Sequence, residues 1–168
     1  SPVIVRPKGN GEYEMIAGHR RKKASELAGK DNIKCIVQDV TDDEAIILMV
    51  DSNLQREQLL PSEKAFAYKM KLDAMKRQGM RVDLTSDPLG PKLNSRSNFE
   101  LASQSPDSKT QIQRFIRLTY LTQPLLNMVD DGKIAMRPAV ELSYLTENEQ
   151  EILLNTMEWE DCTPSHVQ

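Results

Sequence analysis

The stretch Ala17-Gly18-His19-Arg20-Arg21-Lys22-Lys23-Ala24 joins an apolar run to a helix-forming run. The run before it, Tyr13–Ile16, predicts a strand, and Ser25–Ala28 after it predicts a helix. A glycine that leads from a strand into a helix rich in cations can cradle an anion, because backbone N–H groups approach a phosphate and arginines supply forked donors. The alternative is a tight turn before a solvated basic helix face, and this stretch alone favours that alternative.

The chain around this stretch predicts a small α/β unit over residues 1–56. Val3–Val5 and Glu12–Ile16 flank a glycine-rich turn, so we expect a β-hairpin. Arg20–Ala28 predicts the first helix, and Ile33–Gln38 predicts a third strand, in which Cys35 is expected to be a small core residue. The next helix is expected to begin after Thr41, which has a glutamate three residues on, as in a capping box.

The remainder of the chain is expected to be helical. Pro61 opens a long apolar-patterned helix that Gly79 ends. Residues 80–97 are rich in Pro, Gly, Ser, Asp and Asn, which predicts a flexible segment that limited proteolysis should cut first. We therefore predict an α+β chain with an α/β domain at residues 1–60 and an all-helical domain at residues 61–168.

Composition limits the function classes. The chain has 168 residues, of which 39% are hydrophobic and 28% charged, and no run approaches the roughly 18 apolar residues of a membrane span. Its two cysteines are far apart and have no metal spacing, which favours a reducing, cytoplasmic setting. The net charge of −3 does not exclude nucleic-acid binding, because that depends on local basic patches.

A second group of polar side chains ends the apolar helix that follows Thr41. Within Asp51–Arg56, the Asn53 carbonyl can ligate a hard cation such as Mg²⁺, and the Arg56 guanidinium can bind phosphate. The alternative interpretation, which this segment alone favours, is a polar helix end without a ligand.

A third group, residues 98–118, has the spacing of a helix-turn-helix. Phe99–Ala102 predicts the first helix, Ser105–Asp107 the turn, and Ser108 the N-cap of the second helix. The second helix would expose residue types that read base edges and phosphates, namely Ser108, Lys109, Thr110, Gln111, Gln113, Arg114 and Arg117. The expected buried contacts are Leu101, Ala102, Ile112 and Phe115 or Ile116. An ordinary helical hairpin with a polar face is the alternative.

In this order, the three groups resemble the ParB family of partition proteins. The family's first motif, Gly-Glu-Arg-Arg followed by an aromatic or basic residue, Arg or Lys, and Ala, is matched by Gly18–Ala24. Its second motif, Glu-Asn-x-Gln-Arg, is matched by Ser52–Arg56. The segment Glu57–Tyr68, the helix-turn-helix at Leu101–Leu118 and the turn at Asp130–Ile134 also look like the family.

The resemblance implies a sulfiredoxin-like N-terminal domain that binds CTP through Mg²⁺ and a helical domain that binds a centromere-like DNA site. It also implies a homodimer that closes as a clamp on DNA and works with a ParA-type ATPase. The nucleotide-binding residues implied by the two motifs are Gly18, His19, Arg20, Arg21, Asn53, Gln55 and Arg56, with Asn53 serving the metal.

The chain departs from both motifs at their acidic positions, which are occupied by His19 and Ser52. In the family these acids help to position metal and water, so we expect nucleotide binding with slow or no hydrolysis. Two other function classes stay open. One is a ParB-like nuclease, although no compact Asp/Glu pair falls at a motif position. The other is a helix-turn-helix transcription regulator that uses no nucleotide.

Overall fold

Two strands form the predicted hairpin. The computed structural model describes residues 2–56, 58–78, 105, 107–160 and 162–164. Strand β1 (Val3–Pro7) pairs antiparallel with β2 (Tyr13–Ala17). The connecting turn has three successive residues with positive φ, at Gly9, Asn10 and Gly11, a conformation that glycine adopts without steric cost. The hairpin therefore has the turn chemistry that its sequence predicts.

A third strand completes a mixed sheet. Helix α1 (His19–Leu27) connects β2 to β3 (Cys35–Val37), and β3 lies parallel to β1 in the order β2-β1-β3. The prediction that Cys35 is a core residue is wrong, because all three side chains of β3 are exposed. An apolar run indicates a strand, but burial also requires another element against its face. The other edge strand, β2, has Ile16 and Ala17 buried, whereas the side chains of β3 stay exposed.

Two helices follow the sheet and pack against each other. Helix α2 (Asp42–Leu54) begins with the predicted capping box, in which Glu44 N donates to Thr41 Oγ1 and Thr41 N donates to the Glu44 carboxylate. The apolar pattern of helix α3 (Pro61–Arg77) comprises Ala65, Phe66, Tyr68, Met70, Leu72 and Met75, and all of these except Phe66 and Met70 are buried. The predicted positions of both helices are therefore correct, as is most of the predicted apolar face of α3.

Four helices form the rest of the described chain: α4 (Lys109–Leu118), α5 (Gln123–Asp130), α6 (Met136–Leu142) and α7 (Glu147–Glu160). The predicted flexible segment at residues 80–97 and the first helix of the helix-turn-helix lie outside the described residues. Within those residues, no helix has both the length and the apolar character needed to cross a bilayer.

Among the described residues, helix α3 contributes to two hydrophobic cores. One core joins Val50 and Leu54 of α2 to Tyr68 and Met75 of α3 and to Ile112 of α4, which was predicted to be buried. The other joins Ala65 of α3 to residues of the following helices, including Leu118, Leu125, Leu126, Val129, Ile134, Ala139 and Met157. The predicted domain boundary at residue 60 lies between α2 and α3, and these two helices share one hydrophobic core. The division into two domains at this residue stays a prediction.

Candidate functional site

The two sequence motifs meet in one cleft. The cleft has a volume of about 410 Å³ and lies between the N-terminus of α1 and the last turn of α2. Ten residues line it: Ile16, Ala17, Gly18, His19, Arg20, Arg21, Met49, Ser52, Asn53 and Arg56. Of the predicted nucleotide-binding residues, six therefore lie together, while Gln55 is exposed and does not line the cleft.

Gly18 fixes how the chain enters this cleft. It is the N-cap of α1, with φ 110° and ψ 18°, and no side chain caps the helix there. A Cβ at this position would lie 2.6 Å from Val3 Cγ1 and 2.9 Å from Val3 Cβ, so only glycine allows β1 to pass so closely. The first N–H groups of a helix have no carbonyl partner within the helix, and the first residues of α1, His19, Arg20 and Arg21, line the cleft. This is the geometry of an anion cradle.

The charges around the cleft favour an anion. Its lining carries three guanidinium groups, on Arg20, Arg21 and Arg56, and among the ten lining residues there is no carboxylate. The first turn of α1 also lacks acidic residues. Arg21 donates to the carbonyl of Pro2, which ties the start of α1 to the start of β1. A triphosphate fits this donor set, because backbone amides and guanidiniums both bind phosphate oxygens.

Metal ligands are few in the cleft. Asn53 offers one neutral amide oxygen, and across the described ranges there is no group of three or more His, Cys, Asp or Glu side chains that could hold a metal. Asp51 does not line the cleft, and its carboxylate lies 2.5 Å from Lys71 Nζ. Mg²⁺ commonly keeps several waters and binds substrate phosphates. The residues present therefore fit an ion held mainly by a nucleotide, with Asn53 as one protein ligand.

Met49 was missed in the sequence analysis, although it carries a usable signal. It precedes Asn53 by four residues, and residues four apart share one face of a helix. Met49 and Asn53 therefore lie on one face of α2 that borders the cleft, and Arg56, just beyond the end of α2, lines the cleft as well. The apolar side chains of Ile16 and Met49 add a non-polar wall beside the cations.

The start of helix α4 uses two of the predicted DNA-binding side chains for capping. Gln111 N donates to Ser108 Oγ at 3.3 Å, and Ser108 N donates to Gln111 Oε1 at 3.0 Å. Both side chains are thus engaged with the backbone of their own helix. Thr110 and Arg114 are exposed and four residues apart, so they share one face, and Lys109 and Gln113 beside them are half-buried.

Arg117 is held in a different environment from the other predicted DNA-binding residues. Its guanidinium carbon lies 3.8 Å from the ring centroid of Tyr144 and 4.7 Å from that of Tyr120. Its Nη2 donates to the carbonyl of Ser143 at 2.9 Å. These contacts join α4 to the end of α6, so the structure places Arg117 in a helix-helix contact.

A polar network on α3 anchors the segment that leads into α4. Tyr68 Oη donates to Asp107 Oδ2 and contacts Ser105 Oγ, each at 2.7 Å, and Lys64 Nζ lies 3.0 Å from Asp107 Oδ2. Burial raises the pKa of the Tyr68 hydroxyl well above its ordinary value of 10, and Asp107 raises it further. Tyr68 therefore stays a neutral donor that fixes Asp107 beside the N-cap of α4.

Comparison with known proteins agrees with this architecture. Residues 1–54 match the ParB N-terminal domain family. The chain is 33% identical over 150 residues to a probable chromosome-partitioning protein ParB of Pseudomonas putida, which covers 89% of this chain and 45% of the relative. It is also 33% identical over 134 residues to a probable chromosome 1-partitioning protein ParB of Deinococcus radiodurans, covering 80% and 39%. The chain thus spans less than half the length of these curated relatives.

A solved structure shows the same fold. The C-terminally truncated chromosome-partitioning protein ParB from Caulobacter crescentus, complexed to the centromeric parS site, matches with a TM-score of 0.63 at 21% identity. The match covers 97% of this chain and 77% of that one, and at this identity it shows the fold alone. Three observations agree: the order of the motifs, the family match over the sheet and α2, and the similarity to relatives along most of the chain. The chain belongs to the ParB family of partition proteins.

Proposed function

We propose that this chain is the nucleotide- and DNA-binding part of a partition protein, with CTP bound in the cleft and a centromere-like duplex bound by α4. The observation that supports this most strongly is that the two motifs, Gly18–Ala24 and Ser52–Arg56, contribute side chains to a single cleft whose lining has no carboxylate. The relatives are named as partition proteins, and the Caulobacter protein is described as bound to its parS site.

In the proposed complex, the chain holds the triphosphate by charge and by backbone amides. The first N–H groups of α1 and the guanidiniums of Arg20, Arg21 and Arg56 surround the same volume, and each type of donor binds phosphate oxygens. Gly18 makes this possible, because any Cβ there would push β1 away from the start of α1. The bound CTP supplies three phosphates that can bridge α1 and α2.

Hydrolysis is proposed to be slow or absent. In-line attack on a phosphate requires a positioned water and a well-held metal that neutralises developing charge. His19 and Ser52 line the cleft where the family has acids, and imidazole is a poor ligand for Mg²⁺. Asp51 is paired with Lys71 rather than directed to the cleft, so it does not replace either acid. Asn53 alone then serves the metal.

On the helical side, DNA is proposed to contact the exposed face of α4. Arg114 and Thr110 are best placed to reach base edges, with Lys109 and Gln113 on the adjoining face. The further family properties, which we propose by resemblance, are a homodimer that closes as a clamp, a ParA-type ATPase as partner, and a cytoplasmic location on a nucleoid or plasmid.

Isothermal titration with CTP and Mg²⁺ tests the nucleotide part. Binding should be seen for the wild-type chain and should weaken in Arg20→Gln and Arg56→Gln, because each removes a guanidinium from the cleft lining. Arg137→Gln is a matched control, since Arg137 is an exposed arginine of α6 that does not line the cleft. Absence of binding to the wild type would favour the regulator that uses no nucleotide.

A turnover assay separates the proposal from the nuclease alternative. With CTP, Mg²⁺ and cognate duplex, phosphate release should stay below about one turnover per minute, since the cleft lacks an acid to position water. Restoring glutamate in His19→Glu/Ser52→Glu should raise the rate. Metal-dependent cutting of the duplex by the wild-type chain would contradict the proposal and support the nuclease.

A further inference from the structure

A buried ammonium of α3 pairs with the last turn of α2, the turn that borders the cleft. Lys71 is on α3, and its side chain is only 1% exposed. Its Nζ lies 2.5 Å from Asp51 Oδ1 on α2, and the Asp51 side chain is 34% exposed. A buried charge is tolerated when it is paired and hydrogen-bonded, so this contact is a structural requirement of the α2–α3 interface.

Asp51 occupies the last turn of α2, which also forms one wall of the cleft. It is followed immediately by Ser52 and Asn53, and both line the cleft. Gln55 N still donates four residues back to Asp51 O at 3.3 Å, whereas Arg56 N donates three residues back to Asn53 O at 3.1 Å, so the α-helical pattern ends here. Final turns of helices fray readily when no tertiary contact holds them, since the last four carbonyls have no partner within the helix. The Asp51–Lys71 pair supplies such a contact.

Each residue of a helix is rotated by about 100° from the one before it, so Asp51 and Asn53, two positions apart, point to nearly opposite sides of α2. The Asp51 side chain is directed to α3, and Asn53 is directed to the cleft. Holding Asp51 on Lys71 therefore sets the rotation of this turn and, with it, the direction of Asn53 and the start of the segment carrying Arg56.

We propose that Asp51 and Lys71 are positioning residues of the nucleotide cleft, which act by fixing the last turn of α2 against α3. This inference rests on the proposed nucleotide binding for its functional consequence. In this proposal Asp51 supports the cleft and is not a metal ligand. Helix α3 does not line the cleft, but it affects nucleotide affinity through Lys71.

The chain contains a matched control pair. Arg77 of α3 and Asp43 of α2 form a second ion pair between the same two helices, with Nη2 2.7 Å from Oδ1. This pair lies at the opposite end of α2, in its first turn, and neither residue lines the cleft. Removing it also deletes one α2–α3 ion pair but leaves the last turn of α2 untouched.

The test compares Asp51→Asn/Lys71→Met with Asp43→Asn/Arg77→Met by two measurements. Hydrogen exchange without nucleotide should accelerate at residues 51–56 in the first variant only, because the last turn of α2 loses its anchor. Titration with CTP and Mg²⁺ should show about tenfold weaker binding in the first variant, as for other losses of an outer supporting contact, and wild-type affinity in the control.

Single Asp51→Asn should lower Tm more than the double variant, because it leaves the ammonium buried without a partner.

Unchanged exchange at residues 51–56 in the first variant would overturn the inference, and so would accelerated exchange with wild-type affinity. If the wild-type chain binds no CTP, the proposed function fails, and the exchange result alone decides whether the pair fixes this turn. If the first variant does not fold, Lys71→Gln takes its place: it keeps a hydrogen-bond donor and should change both measurements in the same direction by less.

Discussion

Helices α1 and α4 are both proposed to bind phosphate-rich ligands, but they begin in opposite ways. Helix α1 starts at Gly18 with no side-chain cap and no acidic residue in its first turn. Helix α4 starts with a complete capping box between Ser108 and Gln111. Open amides can bind an anion directly, whereas amides that are already capped cannot. The comparison indicates backbone recognition at α1 and side-chain recognition at α4.

Helices α2 and α7 begin in the same way as α4. Thr41 and Glu44 form a box at α2, and Thr146 and Glu149 form the same contacts before α7. Helices α5 and α6 also begin without a side-chain cap, at Thr122 and Ala135, so the missing cap alone does not set α1 apart. What distinguishes α1 is that its N-cap is a glycine in the left-handed conformation and that its start lines the cationic cleft.

The largest effect is expected from Gly18→Ala, which destroys the entry into α1. The new Cβ meets Val3 at 2.6 Å, and alanine is strained at φ 110°, so we expect a loss of about 2–4 kcal/mol in the free energy of unfolding. Gly29→Ala is the control, because φ there is 67° and a Cβ meets nothing within 4 Å. Urea denaturation measures both; equal losses would show that the contact with Val3 does not matter.

Arg114→Ala should weaken specific DNA binding by about 1–3 kcal/mol if the exposed face of α4 reads bases. Gln111→Ala should change binding less, since the Gln111 side chain accepts a hydrogen bond from Ser108 N rather than extending outward. Fluorescence anisotropy with the cognate duplex at physiological salt gives both values. The assignment of α4 as the reading helix is wrong if Arg114→Ala and Lys109→Ala both bind like the wild type.

Ser108→Ala should lower the free energy of unfolding by about 1 kcal/mol, because the amide of Gln111 loses its capping oxygen. Thr110→Ala, in the same turn but exposed, should have a smaller effect on stability. Thermal unfolding followed by circular dichroism compares the two. A stability loss for Thr110→Ala equal to that for Ser108→Ala would mean that the box does not stabilise α4.

The smallest effect is an acid-dependent loss of stability at the capping boxes. Hydrogen bonds from the Thr41 amide and hydroxyl hold the pKa of Glu44 below its ordinary 4.5, and Thr146 does the same for Glu149. A carboxylate whose pKa is lower in the folded state stabilises the fold above the unfolded pKa, near 4.5, and this contribution is lost as pH falls through the folded pKa. Glu44→Gln should flatten the stability profile below pH 5; an unchanged slope would contradict this.

Local patterns were sufficient for much of this structure. The hairpin, the capping box of α2 and the N-cap at Ser108 follow from interactions within a few residues, which a sequence displays directly. The helical spacing of apolar residues in α4 also predicted the buried position of Ile112. The exposure of Cys35 could not be predicted in this way, because it depends on whether another element covers the faces of β3. The four-residue spacing of Met49 and Asn53 is visible in the sequence, but only the packing shows that this face of α2 lines the cleft.

The sequence by itself determined the order of the elements, the family and the identity of the cationic and amide groups, since these depend on residue type and spacing. Only the tertiary structure decided which of these groups share a surface. It brought Gly18–Arg21 to Asn53 and Arg56, directed Asp51 to Lys71, and enclosed Arg117 between Tyr120 and Tyr144. The physical reason is that helix rotation and strand order are set by packing between distant segments, which no local pattern contains.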